Sequence, residues 1–491
     1  MKINRRSFIS GSAVGALVPS AFADSTPKER VAPNGPGGRT SAAWCANLAD
    51  VGEFDICVAG GSCTGVFAAL RAAEAGLRVA IVEMAGGFGG TCTQGLVPIW
   101  HTQWSTDGKE QIIRGLTTAC IDELLARGEA RWLAGLDRKS RRDALLNVAG
   151  LQILLDERVR AAKTITSFLH SRLAAVECDR PGHVTSVIIA DKAGLRRLRA
   201  KFFIDATGDA DLCRFAGFPV WRLAPKDLQT HTTCALLTGI KAIQKKYPKF
   251  SLGEIMKPGY GADLKHRFGW GEPVVGAPDV MFHAYTRIDT CDPSDPEALT
   301  RAEFEGRAQL RRIVDAANRA FPMPQGQRLA ILSIAPHVGL RESCHIEGLY
   351  QVTGEDILSG RSYPDEIARG TYRVDIHEGG GITFKYLDGR MGGFKLGPDG
   401  QVISLEKKRW RPKTPTDPTS YAIPYRAIVP KTSENVLAPG RALDSSREAF
   451  GACRVMVNCN QMGESAGLAA VRAVKENLPA AKAYAGRGGA V

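Results

Sequence analysis

A chain of 491 residues with 44% hydrophobic and 23% charged residues is long enough for one large core or two, and its balance excludes a disordered chain, a coiled coil or a repeat array. The formal charge of +13 raises nucleic acid and anionic membranes as partners, but Lys2, Arg5 and Arg6 sit in a leader and the other basic residues, such as Arg196, Arg197, Arg199 and Lys201, have no interleaved aromatics for base stacking. They read as solvated surface, and no nucleic-acid partner is expected.

Residues 1–23, MKINRRSFISGSAVGALVPSAFA, join a twin arginine to an uncharged, moderately apolar stretch ending Ala21-Phe22-Ala23, the pattern of a processing signal. From Phe8 to Ala23 this stretch is shorter than the roughly 20 residues of a spanning helix and is interrupted by Gly and Pro, so no transmembrane segment is expected in the mature chain. It resembles a bacterial twin-arginine signal. That implies the twin-arginine export machinery, which carries folded, cofactor-loaded proteins, and a periplasmic destination. The 12 cysteines include no Cys-x-x-Cys pair, so spacing supports neither zinc nor an iron–sulfur cluster and no metal site is expected. Most read as small core residues, with one or two disulfides left open.

Residues 24–51, rich in Ser, Pro, Gly and Ala, read as a flexible linker. A strand at 54–59, a Gly-rich turn, a helix at 66–75 and a strand at 78–82 then make a unit of about 30 residues, the size of a mononucleotide-binding half. Residues 141–162 read as one helix, and strands at 165–177, 184–190 and 195–204 as a β-meander. From 216 to 419 irregular text surrounds one long helix at 296–320, a plausible inserted domain. A strand-like stretch at 428–438 and a helix at 460–477 read as a return to the first domain.

Gly60-Gly61-Ser62-Cys63-Thr64-Gly65 supplies the chemistry of a dinucleotide turn, in which small residues let backbone N–H groups approach a pyrophosphate at a helix N-terminus. Ser62 replaces the middle glycine of the strict fingerprint. Glu83, 23 positions after Gly60 at a strand end, is placed to accept hydrogen bonds from ribose hydroxyls. The run Gly86-Gly87-Phe88-Gly89-Gly90-Thr91-Cys92-Thr93-Gln94-Gly95 gives a second loop able to lie flat against a ligand.

With VAGGSCTGVFAALRAAEAGLRVAIVEMAGGFGGTCTQGLV, the stretches FFIDATGDADLCRFAG, GLRESCHIEGLYQVTGEDILSGR and IPYRAIVPKTSENVLAPGRALDSSREAFGACRVMVNCNQMGESAGLAA follow in order over residues 54–472. Together they resemble the FAD-dependent oxidoreductase family related to the flavin subunit of heterodisulfide reductases, and more distantly fumarate-reductase-type flavoproteins. The resemblance implies an α/β fold: a Rossmann-like FAD-binding domain of the glutathione-reductase type, with a parallel sheet plus a β-meander and an inserted α+β substrate or cap domain. The expected division is 52–215 and 420–480 for the FAD-binding domain, 216–419 for the cap and 481–491 for a flexible tail. It also implies that Ala206-Thr207-Gly208-Asp209 lies by the cofactor and that Gly440, Arg441 and Asp444 line its pyrophosphate–ribityl side. A helix through Gly463, Glu464 and Ser465 would point its N-terminal dipole at the flavin. Met84 and Leu173 complete the expected cofactor-binding set.

His101, Arg341, His377, Tyr425 and Arg454 lie in or beside these stretches and are the candidate catalytic residues, each with a structural role as the alternative. Cys63 and Cys92 lack the nearby partner a thiol relay needs and read as packing. The expected activity is that of a dehydrogenase or oxidase acting on a small molecule. Free nicotinamide is not expected in the periplasm, so electrons would pass to a quinone, a cytochrome, a redox protein or dioxygen. The alternatives are an electron-transfer subunit of a heterodisulfide-reductase-like complex, with or without an iron–sulfur cluster, and NAD binding without flavin. The last leaves the Ala206–Asp209 and Gly440-Arg441 stretches unexplained.

Overall fold

The computed structural model describes residues 26–31, 47–134, 142–256, 264, 268–289, 291–397 and 401–487. The expected signal at 1–23 and most of the expected linker lie outside the described residues.

Seven strands form the central sheet: β1 (Ala49–Ala59), β2 (Val79–Val82), β3 (Ile165–Phe168), β4 (Arg172–Arg180), β5 (His183–Asp191), β6 (Gly194–Asp205) and β7 (Val436–Leu437). β3, β2, β1, β6 and β7 run parallel in that order, while β4, β5 and β6 form an antiparallel meander. β6 serves both layers: its first half pairs with β5, and Phe203 in its second half lies between Cys57 of β1 and Val436 of β7. The longest helices among the described residues are α1 (Cys63–Glu74), α2 (Val148–Ala161), α3 (Pro296–Ala320) and α4 (Met456–Glu476).

Both faces of the parallel strands are covered, which is why β1 and β2 read as unbroken apolar runs. Ile56, Val58, Val79 and Ile81 pack in one core with apolar residues of α1 and α4. Cys57, Ala59, Ala80 and Val82 share a second core with Val187, Ile189 and Leu212, so the meander covers the face that a crossover helix would otherwise take. α1 and α4 cross closely: a Cβ on Gly463 would lie 2.2 Å from the Thr64 carbonyl oxygen. This is the expected sheet-plus-meander fold.

Several boundaries differ from the sequence reading. The stretch 165–177 is two strands, because the chain turns at Leu169–Ser171 with His170 in the left-handed region (φ 52°). Within 141–162, Arg142–Leu146 is a strand paired with Ala130–Ala134, and α2 starts only after Asn147, whose side chain accepts from the Ala149 and Gly150 N–H groups. The linker is shorter than expected: Lys28–Arg30 is a strand against Val220–Leu223, and β1 begins at Ala49. The tail is docked at Tyr484, whose hydroxyl donates to the Glu366 carbonyl oxygen, and at Arg487, which pairs with the Glu366 carboxylate (3.5 Å).

The region 216–419 is divided by its packing. An antiparallel sheet of Trp270–Val274, Ala277–Ala284, Ala235–Thr238 and Ala330–Ile334 packs on α3, where Leu310, Ile313 and Val314 share a separate core with Ala235 and Leu237. Val352, Ile357, Ile367, Val374 and Ile376 instead belong to the core of α1 and α4. α3 has the extent its sequence announced, since Asp295 caps it and Pro296 opens it.

Burial pushes His231 down to about 4, and His283 and His377 to about 3. Each folded value lies below the unfolded one, so the stability each histidine contributes is complete above pH 6.5 and is lost on acidification, at up to about 1.4 kcal/mol per pH unit per group. Neither ring nitrogen of His283 has a hydrogen-bond partner. His283→Phe should therefore flatten the fall of the unfolding midpoint between about pH 6.5 and 5. An unchanged slope would contradict a buried, neutral ring at this position.

Candidate functional site

At the end of β1 the chain turns through Gly60, whose φ of +106° and a virtual Cβ 2.3 Å from the Ala206 carbonyl oxygen admit only glycine. Gly61 N–H donates to Glu83 Oε2 (2.6 Å) and Ala85 N–H to Glu83 Oε1 (2.7 Å), so the carboxylate closes the turn from the end of β2. Ser62 stands at the N-cap of α1, but its side chain caps nothing and no acidic residue occupies the first turn. The positive end of the helix, with the N–H groups of Cys63, Thr64 and Gly65, is thus left without a capping side chain.

The second glycine loop lies along the first. Gly89 N–H donates to the Gly61 carbonyl oxygen (2.9 Å), Ser62 and Gly89 form a parallel bridge, and the Cys63 thiol reaches the Gly89 carbonyl oxygen (3.6 Å). A Cβ on Gly90 would meet Ser62, and Thr91 is exposed while Cys92 is buried. Burial raises the Cys63 and Cys92 thiols well above their ordinary range, in keeping with packing roles. Half-exposed Met84 receives a hydrogen bond on its sulfur from Arg172 (3.5 Å), and the next residue of β4, Leu173, packs on the meander core.

At the end of β6, buried Asp205 accepts from the Thr207 hydroxyl (2.6 Å) and backbone N–H (3.2 Å), which fixes the turn Ala206-Thr207-Gly208-Asp209. Arg441 pairs with Asp209 (3.1 Å) and also donates to the Leu340 carbonyl oxygen, while Ser343 donates to the same Asp209 oxygen (2.5 Å). Gly440 packs beside Thr64, which Gly463 touches from α4. The first turn, the Gly208-Asp209 turn, Gly440-Arg441 and α4 therefore meet.

Four expected site residues have internal roles instead. Asp444 accepts from Gly348 N–H, Gln351 Nε2 and Trp221 Nε1. Glu464, fully buried, accepts from the Arg71 guanidinium and Leu116 N–H. Ser465 donates to the Ile367 carbonyl oxygen. Tyr425 donates to the Ala480 carbonyl oxygen (2.6 Å) and packs on Tyr484, so it secures the C-terminal segment. These carboxylates and hydroxyls are buried and must be hydrogen-bonded, and protein groups meet the need.

Two of the five catalytic candidates, His377 and Arg454, contact a residue the sequence reading missed, Asp375. It accepts from the Tyr372 hydroxyl (2.7 Å), lies 3.1 Å from His377 Nε2 and pairs with Arg454 (3.5 Å), which also donates to its backbone carbonyl (3.0 Å). Burial alone would raise the Asp375 pKa, but His377, Arg454 and Arg373 hold it well below the usual range. Arg341 donates to the Thr230 carbonyl oxygen (2.5 Å) and Thr232 hydroxyl (2.7 Å), and its backbone N–H to His231 Nδ1. Arg287 shares the Thr232 hydroxyl, and Arg373 lies over the Phe384 ring, 4.1 Å from its centre. His101, bonded to Asp143 (3.3 Å), touches the cluster through its ring contact with Tyr372. One signal was available: in Arg373-Val374-Asp375-Ile376-His377 the polar residues alternate, and Asp375 and His377 fall on one face of the strand Val374–Glu378.

A model of the family described as "FAD dependent oxidoreductase" matches residues 55–483. The chain belongs to that family. It is an FAD-dependent oxidoreductase, and its cofactor is FAD. A curated relative, the mitochondrial dihydrolipoyl dehydrogenase of Schizosaccharomyces pombe, is 29% identical over 177 residues, covering 34% of this chain and 30% of that protein. The chain thus spans under a third of that relative's length. Among solved structures, p-nitrophenol 4-monooxygenase from Pseudomonas putida DLL-E4 is 13% identical with a TM-score of 0.42, over 87% of this chain and 81% of the other. A geranylgeranyl bacteriochlorophyll reductase-like protein from Thermoplasma acidophilum is 13% identical with a TM-score of 0.40, over 87% and 79%.

The geometry of this oxidoreductase fits FAD. Side-chain-free Gly60 and Gly65 leave the backbone of the first turn open to close approach, and the uncapped N-terminus of α1 suits a pyrophosphate. Family membership sets aside the reading of NAD without flavin.

Proposed function

We propose that this flavoprotein is a periplasmic dehydrogenase or oxidase of a small organic substrate, exported by the twin-arginine machinery, which passes electrons to a quinone, a cytochrome, a redox protein or dioxygen. The observation that carries the catalytic part is the link from the Arg441–Asp209 pair to the buried arginine cluster: Arg441 donates to the Leu340 carbonyl oxygen, and the next residue, Arg341, donates its backbone N–H to His231 and its guanidinium to Thr230 and Thr232. The Arg5-Arg6 leader supports the location. Among the described residues no helix is long and apolar enough to cross a membrane.

Bound FAD supplies two-electron hydride chemistry. On the protein side, the N–H groups of the first turn would hold the pyrophosphate and Glu83 the ribose hydroxyls, with Gly208, Asp209 and Arg441 beside the dinucleotide. His377 is neutral at neutral pH because of burial and then Arg341. His377 Nε2 stands 3.1 Å from the ionised Asp375 carboxylate, which favours the tautomer protonated on Nε2 and leaves Nδ1 to take a proton from a substrate O–H or N–H, or through the reverse step to return one. Asp375 is the positioning residue. It orients His377 and Tyr372 together.

Pools of small metabolites added anaerobically to the purified yellow protein should bleach its flavin, and an artificial electron acceptor should then support repeated turnover. Reduction by chemical reductant alone, with no substrate-dependent turnover, would instead favour an electron-transfer subunit of the heterodisulfide-reductase-like kind. Among the described residues no group of three His, Cys, Asp or Glu could hold a metal ion.

A further inference from the structure

Among the described residues, the cluster around Asp375 carries more arginines than carboxylates. Arg287, Arg341, Arg373 and Arg454 surround it, and three neighbouring histidines, His231, His283 and His377, are held neutral by burial. Among the described residues, the carboxylates whose fields act on Arg287, Arg341 and Arg373 are Asp375, Asp289 and Asp143. Of the four guanidinium groups, that of Arg454 is the one within ion-pair distance of Asp375. Arg287 and Arg341 direct their hydrogen bonds to the carbonyl oxygens of Ala284, Thr286 and Thr230, and both donate to the single Thr232 hydroxyl. Two guanidinium groups thus share one neutral acceptor.

That arrangement raises the free energy of the empty site, since buried cations need an anion or strong hydration. Burial and mutual repulsion lower Arg341 to about 9, and burial lowers Arg287 to about 10. Donors are left over as well: Arg287 Nη2 is buried without a partner on a residue that is 6% exposed, and the Nε groups of Arg373 and Arg454 are likewise unpartnered. The cluster adjoins the cofactor turn, because Arg441 donates to the carbonyl oxygen of Leu340, the residue before Arg341, and the Cys459 thiol at the start of α4 reaches the Arg454 carbonyl oxygen (3.4 Å).

We infer that the substrate carries a carboxylate, clamped by Arg287, Arg341 and Arg454 beside the His377–Asp375 pair. Planar guanidinium forks match a carboxylate with paired N–H donors, and Arg373, stacked on Phe384 and Tyr372, adds positive potential without competing for the same oxygens. A neutral substrate of the same shape would leave the donors unpaired. This inference rests on reading the cluster as the substrate side of the enzyme.

The test uses acetate, oxalate, succinate and benzoate as probes, each against its amide, at constant ionic strength. Binding is read as a rise in the thermal unfolding midpoint and, in the yellow holoenzyme, as a flavin difference spectrum. At least one carboxylate should bind saturably, with its amide weaker by about tenfold or more, as expected for charge-assisted bonds. Arg341→Met and Arg454→Met should each weaken that carboxylate by about tenfold while keeping their FAD. Absence of binding by all four anions, equal binding of acid and amide, or undiminished binding by a folded Arg341→Met protein would overturn the inference. If neither variant folds, the acid–amide contrast in the wild-type protein decides. A colourless wild-type protein would sink the flavin reading, yet the midpoint shift would still report on the anion clamp.

Discussion

Gly65→Val should give a protein that carries no FAD. A Cβ at Gly65 would stand 1.9 Å from the Gly60 carbonyl oxygen and 3.1 Å from Ala206 Cβ, so the first turn must open or α1 must move away from β1. Overpacking of a core whose side chains can shift costs about 1–3 kcal/mol. Here the obstacle is backbone, which cannot rotate aside, and the displaced N–H groups are those aimed at the pyrophosphate. The absorbance ratio of flavin to protein, measured with the far-ultraviolet circular dichroism, checks both effects: colour should vanish while much of the secondary structure persists. Gly76→Ala is the matched control. Gly76 also has a left-handed φ (+82°), but a Cβ there meets nothing within 4 Å, so strain of about 1 kcal/mol is expected with FAD retained. Full retention of flavin by Gly65→Val would contradict the placement of the dinucleotide turn.

Asp375→Asn should be the most damaging isosteric change in the interior. The carboxylate is 5% exposed and faces Arg454, Arg373, His377 and the Tyr372 hydroxyl. Losing one member of a buried charge group costs about 3–5 kcal/mol, because the partner charge remains buried without compensation. The unfolding midpoint in denaturant reads this loss, and FAD content should be largely preserved because Asp375 lies outside the glycine turns. The same variant should lose proton transfer through His377, which then lacks the acceptor that fixes its tautomer, by about 10²–10⁴-fold in turnover once a substrate is in hand. A midpoint equal to that of the wild type would contradict the charge-hub description.

The parts that were legible in the sequence are those set by local rules. Gly60 to Gly65 and Glu83 could be read because a close turn tolerates only small residues and a strand end aims one carboxylate. α3 could be read because Asp295 and Pro296 mark its start. Short apolar runs were ambiguous: Ala144, Leu145 and Leu146 suit a strand or a helix equally, and only pairing with Ala130–Ala134 decides. The turn at Leu169–Ser171 went unseen because it contains neither Gly nor Pro. The internal partners of Asp444 and Glu464 were out of reach for a different reason: the resemblance suggested ligand contacts, while their donors Trp221 and Arg71 are supplied by distant segments. The Asp375 hub was hidden for the same cause, since its ion-pair partner Arg454 is supplied by a distant stretch.

FAD binding is tested most directly by one spectrum, that of the purified protein. Oxidised-flavin bands should travel with the folded protein. A folded, colourless protein that gains no flavin absorbance after incubation with excess FAD would contradict it.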